Sequence, residues 1–447
     1  MKVKKLIANI LCCSTVLGGA MSVAACGGSG DPAAAKAGVT ISFWHPITGP
    51  DASYMQVLLK QFNKEYEGKI YVKDTAKAED THYTNISNSF NDKSSPDLAI
   101  IHKSRIAYYE HNEKLRDMTS LTTSIGLDSS VYVGDSWTAC QFDDKMYAIP
   151  YDVLPTLLFY NRKLIPEGKK EAWEAEIKSE DFTVDRMCEM MAEVYVHSSR
   201  SANRTFGMAF NYANTDSMFI SFLNQLGETV VSADDPYSAT YNTPNALLAA
   251  EAVKKIPDTE DKEGHGVCSE SGSDHLNAYK QGRALFTIDG IWSAPGACDE
   301  KNSKIDTGVV RLPKVNASAT RNVSGDGHCF AMFNTVKDTS DEKDAAVATL
   351  VDYLIDNSDY WCQGGKVAAR SDFASHEEYL KLEWGHLSNE LDYIISPVKV
   401  YTYNTIVSPI GLHISNYVEN KKAYVGTLQA ELDKAVKESN DKAREVN

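Results

Sequence analysis

Apolar and polar positions divide this chain into one solid apolar block at its start and many short alternations after it. Residues Leu6 to Ala25 carry no charge and follow Lys2, Lys4 and Lys5. A basic start, an apolar middle and the small residues Val23-Ala24-Ala25 before Cys26 have the layout of a lipoprotein export signal, which predicts removal of residues 1–25 and acylation at Cys26. The competing reading is a transmembrane span, which Asn9, Gly18, Gly19 and Ser22 would make a weak one. No later stretch offers about 18 consecutive apolar residues, so the remainder is expected to stay out of the bilayer. Residues 26–38, with GGSGDPAAAKA at their centre, have no apolar period and read as a flexible tether of about 18 Å.

From Val39 the pattern changes. VTISFW reads as a strand and Pro46, Gly49 and Pro50 as a turn, while Met55, Leu58, Leu59, Phe62 and Tyr66 fall at helical spacing behind Asp51, which is suited to cap that helix. KIYVKD, a helical stretch from His82 to Asn91 and the apolar run Leu98 to Ile101 repeat the strand-helix order. Such alternation predicts a mostly parallel sheet with both faces covered, hence an α/β fold. Further strands are expected at Leu157 to Tyr160, Leu285 to Ile288, Gly308 to Leu312 and Cys329 to Phe333. A helix is expected from Asn245 to Lys255 after Thr243-Pro244, and an amphipathic tail helix from Tyr417 to Val446.

Length turns this into more than one body. Taking 25 residues from 447 leaves 422, more than one hydrophobic core usually holds, so two domains or lobes are expected. The 45 basic and 61 acidic residues give a net charge of -16, and losing the three signal lysines lowers it to -19. Such a surface repels nucleic acid and anionic lipid. Six cysteines would remain in the mature chain beside Cys26: Cys140, Cys188, Cys268, Cys298, Cys329 and Cys362. In an exported protein these allow up to three disulfides, with no metal-ligand spacing to favour a cation.

The chain has no GxSxG elbow, HExxH, GxGxxG after a strand, P-loop or EF-hand loop. Glycoside hydrolysis stays open at this point, since it needs only two carboxylates that no local spacing betrays. The acidic stretch Asp258 to Glu263 could take up calcium but reads as a solvated loop, and Glu383 with His386, one helical turn apart, reads as a surface pair. Ser324-Gly325-Asp326-Gly327 could form a backbone nest, although its acidic residue argues against phosphate. More informative are aromatic and polar residues at strand ends: Trp44-His45, His102, Tyr151-Asp152 and Asp289-Gly290-Ile291-Trp292. Ligands of open α/β sheets bind beyond the carboxyl ends of strands, and sugars suit this set, stacking C–H faces on rings and pairing hydroxyls with polar side chains.

Several segments, in order along the chain, carry a family resemblance. ISFWHPITGPD, SPDLAII, DKMYAIPYDVLPTLLFYNRKLI, YKQGRALFTIDGIW, VVRLPKVN and GGKVAARSD resemble successive blocks of the extracellular solute-binding proteins of carbohydrate-type ABC importers, family 1. The resemblance implies a two-lobed, periplasmic-binding-protein-like (type II) α/β fold with a ligand cleft between the lobes. It places lobe one at 39–149 and 293–335 and lobe two at 150–292 and 336–447. It further implies a monomeric carrier, without catalysis or cofactor, that hands a sugar or oligosaccharide to a membrane permease at the extracytoplasmic face.

Carried over residue by residue, the resemblance puts Trp44, His45, Asp51, His102, Tyr151, Asp152, Asn211, Asn214, Asp216, Trp292, Gly325, Asp326 and Arg370 at the ligand. Trp292 is the expected stacking platform, and Gly325 and Asp326 are expected to approach from the opposite lobe. Ala368 stands where that family commonly has proline, which weakens the Arg370 assignment. A phosphorylated polyol such as glycerol 3-phosphate is the rival ligand, but it would call for more than one cation or a neutral glycine nest. An adhesin or sensor lacking a permease is a further alternative.

Overall fold

A computed structural model describes residues 37–200, 203–269, 275–299, 301–337, 339–419 and 426–446. The export signal, Cys26 and most of the tether lie outside the described residues. Within them, no helix is long and apolar enough to cross a membrane. The strand Val39–His45 pairs in parallel with Ile70–Ala76 on one side and Leu98–His102 on the other. Its helix, Ala52–Glu65, buries Met55, Leu58, Leu59 and Phe62, as their spacing predicts. Leu98–His102 is buried on both faces: Leu98 and Ile100 join the main core, Ala99 and Ile101 a second cluster with Tyr83, Ile86 and Tyr109. His328–Ala331 and Ile149–Pro150 complete this first sheet in antiparallel fashion.

The second sheet forms around Asp152–Asn161, ten residues all buried. Ala284–Gly290 pairs antiparallel with it, and Phe206–Ala209 lies parallel beyond. Two strands expected in lobe one belong here instead: Thr307–Arg311 and Val323–Asp326 both pair antiparallel with Asp152–Asn161. Conversely, the helix Asp341–Asp356, expected in lobe two, packs on Val39–His45 and Ala52–Glu65. The lobe boundaries at 293–335 and 336–447 are corrected accordingly: the chain stays with the second sheet until Asp326, returns to the first from His328 to Asp356, and rejoins the second at Val367–Ala368. A strand's apolar pattern records that it is buried, not which sheet buries it. The tail, expected as one helix, contains Tyr403–Glu419 and a separate Leu428–Arg444 whose cap is the Thr427 hydroxyl.

The chain thus crosses between sheets three times, and the crossings meet at one carboxylate. Asp152, on the first, accepts the His328 backbone N–H at 2.8 Å and faces His328 Nδ1 at 2.9 Å on the second. It also accepts Trp361 Nε1–H at 2.7 Å from the third. Tyr151 stacks on Trp361 with ring centroids 5.4 Å apart and planes within 6°. Lys366, also on the third crossing, ion-pairs with Asp51 at 2.8 Å, both side chains being buried. Gly327 has no alternative at the second crossing, since a Cβ there would collide with the Asp152 carbonyl.

Burial by itself would raise the Asp152 pKa, but the facing His328, through charge and hydrogen bonds, outweighs it and holds the carboxyl below its ordinary range. A carboxyl with a depressed native pKa stabilises the fold above its unfolded pKa of about 3.9, and that contribution is lost as pH falls through the native value. Asp152→Ala removes the partner of three groups, the His328 N–H, His328 Nδ1 and Trp361 Nε1–H, and is expected to cost about 3–5 kcal/mol in urea unfolding at neutral pH. A loss below about 1 kcal/mol would remove Asp152 from its role as the common anchor.

Candidate functional site

Between the sheets lies a cleft of about 290 Å³. The first sheet and its helices contribute Glu79, His102 and Ser104, and the second contributes Leu154, Thr156, Asp216, Trp292, Ser324, Gly325 and Asp326. The remaining wall includes Ile395 to Val398, Tyr403 and Asn404. This last segment bridges the cleft's two sides. Ser396 accepts a hydrogen bond from Lys103 at 2.7 Å and donates to Asp135 at 2.8 Å. Asn404 donates to the Ser104 carbonyl at 2.7 Å, and Tyr401 stacks on His111 with centroids 3.8 Å apart.

Trp292 is held open to this space, 38% exposed although most large aromatics in the chain are buried. Two features place it. Its indole lies against Gly290, where any Cβ would collide with the ring. Just before it, Asp289 binds the Ser293 hydroxyl at 2.7 Å, the Gly290 N–H at 2.8 Å and His275 Nε2 at 3.0 Å, so the turn carrying the indole is fixed at its base.

His102 Nδ1 shares a hydrogen bond with the Tyr83 hydroxyl, 2.6 Å away, while that hydroxyl accepts the His102 backbone N–H at 2.9 Å. Desolvation is the main force on its pKa, which is lowered, so the imidazole stays neutral where an ordinary histidine would charge. Asp216 sits in the first turn of the helix Thr215–Gln225, where its carboxylate accepts the Ser217 N–H at 2.6 Å. Burial raises its pKa despite that bond. Asp326 accepts N–H groups from Ser104 at 3.2 Å and Gly327 at 2.8 Å, linking the second crossing to the first lobe. Glu79, Asp216 and Asp326 make the wall acidic, and no lysine or arginine is among the described residues that line it.

Five expected site residues therefore come together: His102, Asp216, Trp292, Gly325 and Asp326. Gly325 and Asp326 arrive from the same sheet as Trp292, not from the opposite lobe as expected. The other eight lie outside the lining, each with another task. Trp44 packs against the second core cluster, and His45 is 3% exposed beside Asp74. Asp51 makes no cap bond and pairs with Lys366. Tyr151 and Asp152 belong to the crossings. Asn211 accepts the Ala213 N–H, and Asn214 donates to the Ile288 carbonyl and Asp289, bracing the turn that carries Trp292. Arg370 is held in a two-pronged pair with Asp372.

Glu79, Ser104 and the 395–404 segment were not anticipated from sequence, and their local pattern holds no signal for them. Outside the cleft, the acidic stretch brings Asp261, Glu263 and His265 within 4.8 Å of one another, an arrangement exposed carboxylates often adopt without an ion.

The family model described as bacterial extracellular solute-binding protein matches residues 58–378. Over 167 residues, 36% of this chain, the sequence is 28% identical to the diacetylchitobiose binding protein DasA of Streptomyces coelicolor, a match spanning 37% of that protein's length. Among solved structures, T. maritima MalE3 bound to maltose resembles this fold with a TM-score of 0.73 at 15% identity, covering 90% of this chain and 99% of that one. The GacH receptor of Streptomyces glaucescens, solved unliganded and with acarbose, gives 0.71 at 17% identity, covering 91% and 98%. At these identities the likeness is one of fold, the two-lobed arrangement around a cleft.

A desolvated carboxylate with a raised native pKa destabilises the fold progressively as pH rises from its unfolded pKa of about 3.9 through the native value, and fully above it. Asp216→Asn is therefore expected to raise the melting temperature of the unliganded protein at neutral pH, with the gain vanishing at a pH below the ordinary aspartate range. Calorimetric melts of both proteins across pH check this; an unchanged or lowered melting temperature at neutral pH contradicts it.

Proposed function

The chain belongs to the bacterial extracellular solute-binding proteins, and on that premise we propose that it captures a neutral mono- or disaccharide in the cleft beneath Trp292 and delivers it, unaltered, to a membrane permease. The family places the protein outside the cytoplasm. DasA, MalE3 and GacH, named for or bound to sugars and acarbose, support a carbohydrate ligand here. The observation that carries the reading is an exposed indole that shares one cleft with three acidic side chains and a neutral histidine, Glu79 and His102 coming from the opposite side. Carboxylates and a neutral imidazole exchange hydrogen bonds with hydroxyls, while the indole takes a sugar's C–H face. A cleft of about 290 Å³ lies at the small end of the range for ligand sites, about 300–1,000 Å³, and favours one or two rings over a long chain.

The acidic wall disfavours glycerol 3-phosphate, since a phosphate dianion there would meet carboxylates and no lining cation. Arg370, the cation expected to meet it, is engaged by Asp372. Two acidic side chains in a cleft also suit a glycosidase, whose acid needs a raised pKa such as that of Asp216. The carrier reading predicts that a bound disaccharide is recovered uncut, and a cleaved product would favour the enzyme. Acylation at Cys26 supplies the membrane anchor in this reading. Cys26→Ser is expected to move the protein from the membrane fraction to the medium, and retention in the membrane would contradict the anchor.

Calorimetric titration over neutral mono- and disaccharides, glucuronate and glycerol 3-phosphate tests the ligand. A neutral sugar is expected to bind saturably and the two anions not at all. Trp292→Ala is expected to weaken that binding by about 1–3 kcal/mol, the usual worth of an aromatic stacking contact. Wild-type affinity in the variant, or glycerol 3-phosphate as the best ligand, would overturn the assignment.

A further inference from the structure

Of the six cysteines in the described residues, two stand apart. Cys140 and Cys329 are 189 residues apart in sequence, yet their sulfurs lie 3.4 Å from each other. Both are fully buried in the second core cluster, with no exposed surface. Neither position is loose. Cys329 sits in His328–Ala331, paired with Ile101 on one side and Pro150 on the other. Cys140 follows the short helix Ser136–Ala139, its N–H bound to the Trp137 carbonyl and its carbonyl accepting the Tyr147 N–H at 3.0 Å. No other sulfur-to-sulfur contact is found among the described residues. Cys268 instead donates to the Ile256 carbonyl at 3.4 Å, with Cys188 in its neighbourhood but not in sulfur contact.

We propose that Cys140 and Cys329, the two cysteines of the described residues whose sulfurs meet, form a disulfide in the exported protein. Side-chain rotation has to close the gap by only about 1.4 Å to reach an S–S bond of about 2.05 Å. The compartment favours the oxidised form, as secreted proteins meet disulfide-exchanging carriers. One thiolate attacks the disulfide of such an oxidised thiol carrier, and the second displaces the carrier from the mixed disulfide. The cysteine pair loses two protons and two electrons, and the carrier leaves as two thiols.

Timing follows from burial. The Cys329 thiol, desolvated and facing Cys140, is pushed well above its ordinary pKa, so in the folded protein it is a poor nucleophile. The bond forms as the lobe folds and is afterwards shielded from reductants. Its position matters for the hinge, because Cys140 leads through Ile149–Pro150 into the first crossing and Cys329 directly follows His328 at the second. The bridge fastens the roots of two crossings within one lobe.

Peptide mapping of the exported full-length chain tests this. Protein denatured without reductant is alkylated with N-ethylmaleimide and digested. A linked peptide containing Cys140 and Cys329, lighter than the two thiol peptides by two hydrogens, is expected in most molecules, with Cys188, Cys268, Cys298 and Cys362 alkylated. Cys329→Ser is expected to leave Cys140 alkylatable, and Cys362→Ser to leave the link intact. Dithiothreitol is expected to lower the melting temperature of the wild-type protein by several degrees and to leave a Cys140→Ser/Cys329→Ser variant unchanged. Alkylation of both Cys140 and Cys329 in most wild-type molecules, or a link from either to another cysteine, overturns the proposal. If a variant fails to fold, the wild-type map alone decides.

Discussion

One buried carboxylate organises this molecule. Asp152 has no exposed surface to speak of, and its two oxygens are shared among groups from all three segments that pass between the sheets. A charge in that position is tolerable only while His328 and Trp361 stay bonded to it, so the three crossings are held in fixed relation at one point. In the proposed reading, rotation of one lobe on the other is left to the backbone beside that point, as in hinge closure around a ligand.

The cleft's character follows from what the hinge uses up. Polar groups nearest the crossings (Asp152, His328, Asp51 and Lys366) are saturated by one another and buried. Beyond them the wall keeps one exposed indole, a neutral histidine and three carboxylates, with contributions from both lobes. In the proposed reading ligand contacts are divided between the sides, so they would be complete only when the sides approach, and a ligand would favour the closed form by that difference in affinity. The 396–404 segment already reaches across, through Ser396, Tyr401 and Asn404, and gives the closed form part of its interface without a ligand.

Much of this was legible in the sequence because strand ends are local features. His102 and Trp292 end or follow apolar runs, so their general place could be read from period, whereas Asp216 was expected only through the family resemblance. The same rule misplaced Tyr151 and Asp152, which also end a run but lie where three segments converge, Tyr151 stacked on Trp361 and Asp152 taken up by protein donors. Asn214 has the right chemistry and braces Asp289 instead. The lobe boundaries failed for a related reason: Thr307–Arg311 and Val323–Asp326 look like any buried strands, and only long-range pairing with Asp152–Asn161 reveals their sheet. Glu79 and the 395–404 wall depend wholly on how distant segments fold over the gap.

The central claim is that two lobes anchored at Asp152 close on a sugar they share. Small-angle X-ray scattering of the full chain, with and without a saturating neutral sugar, tests it most directly. The account predicts a smaller radius of gyration in the sugar-bound protein. A sugar shown to be bound with no change in the radius of gyration would contradict it.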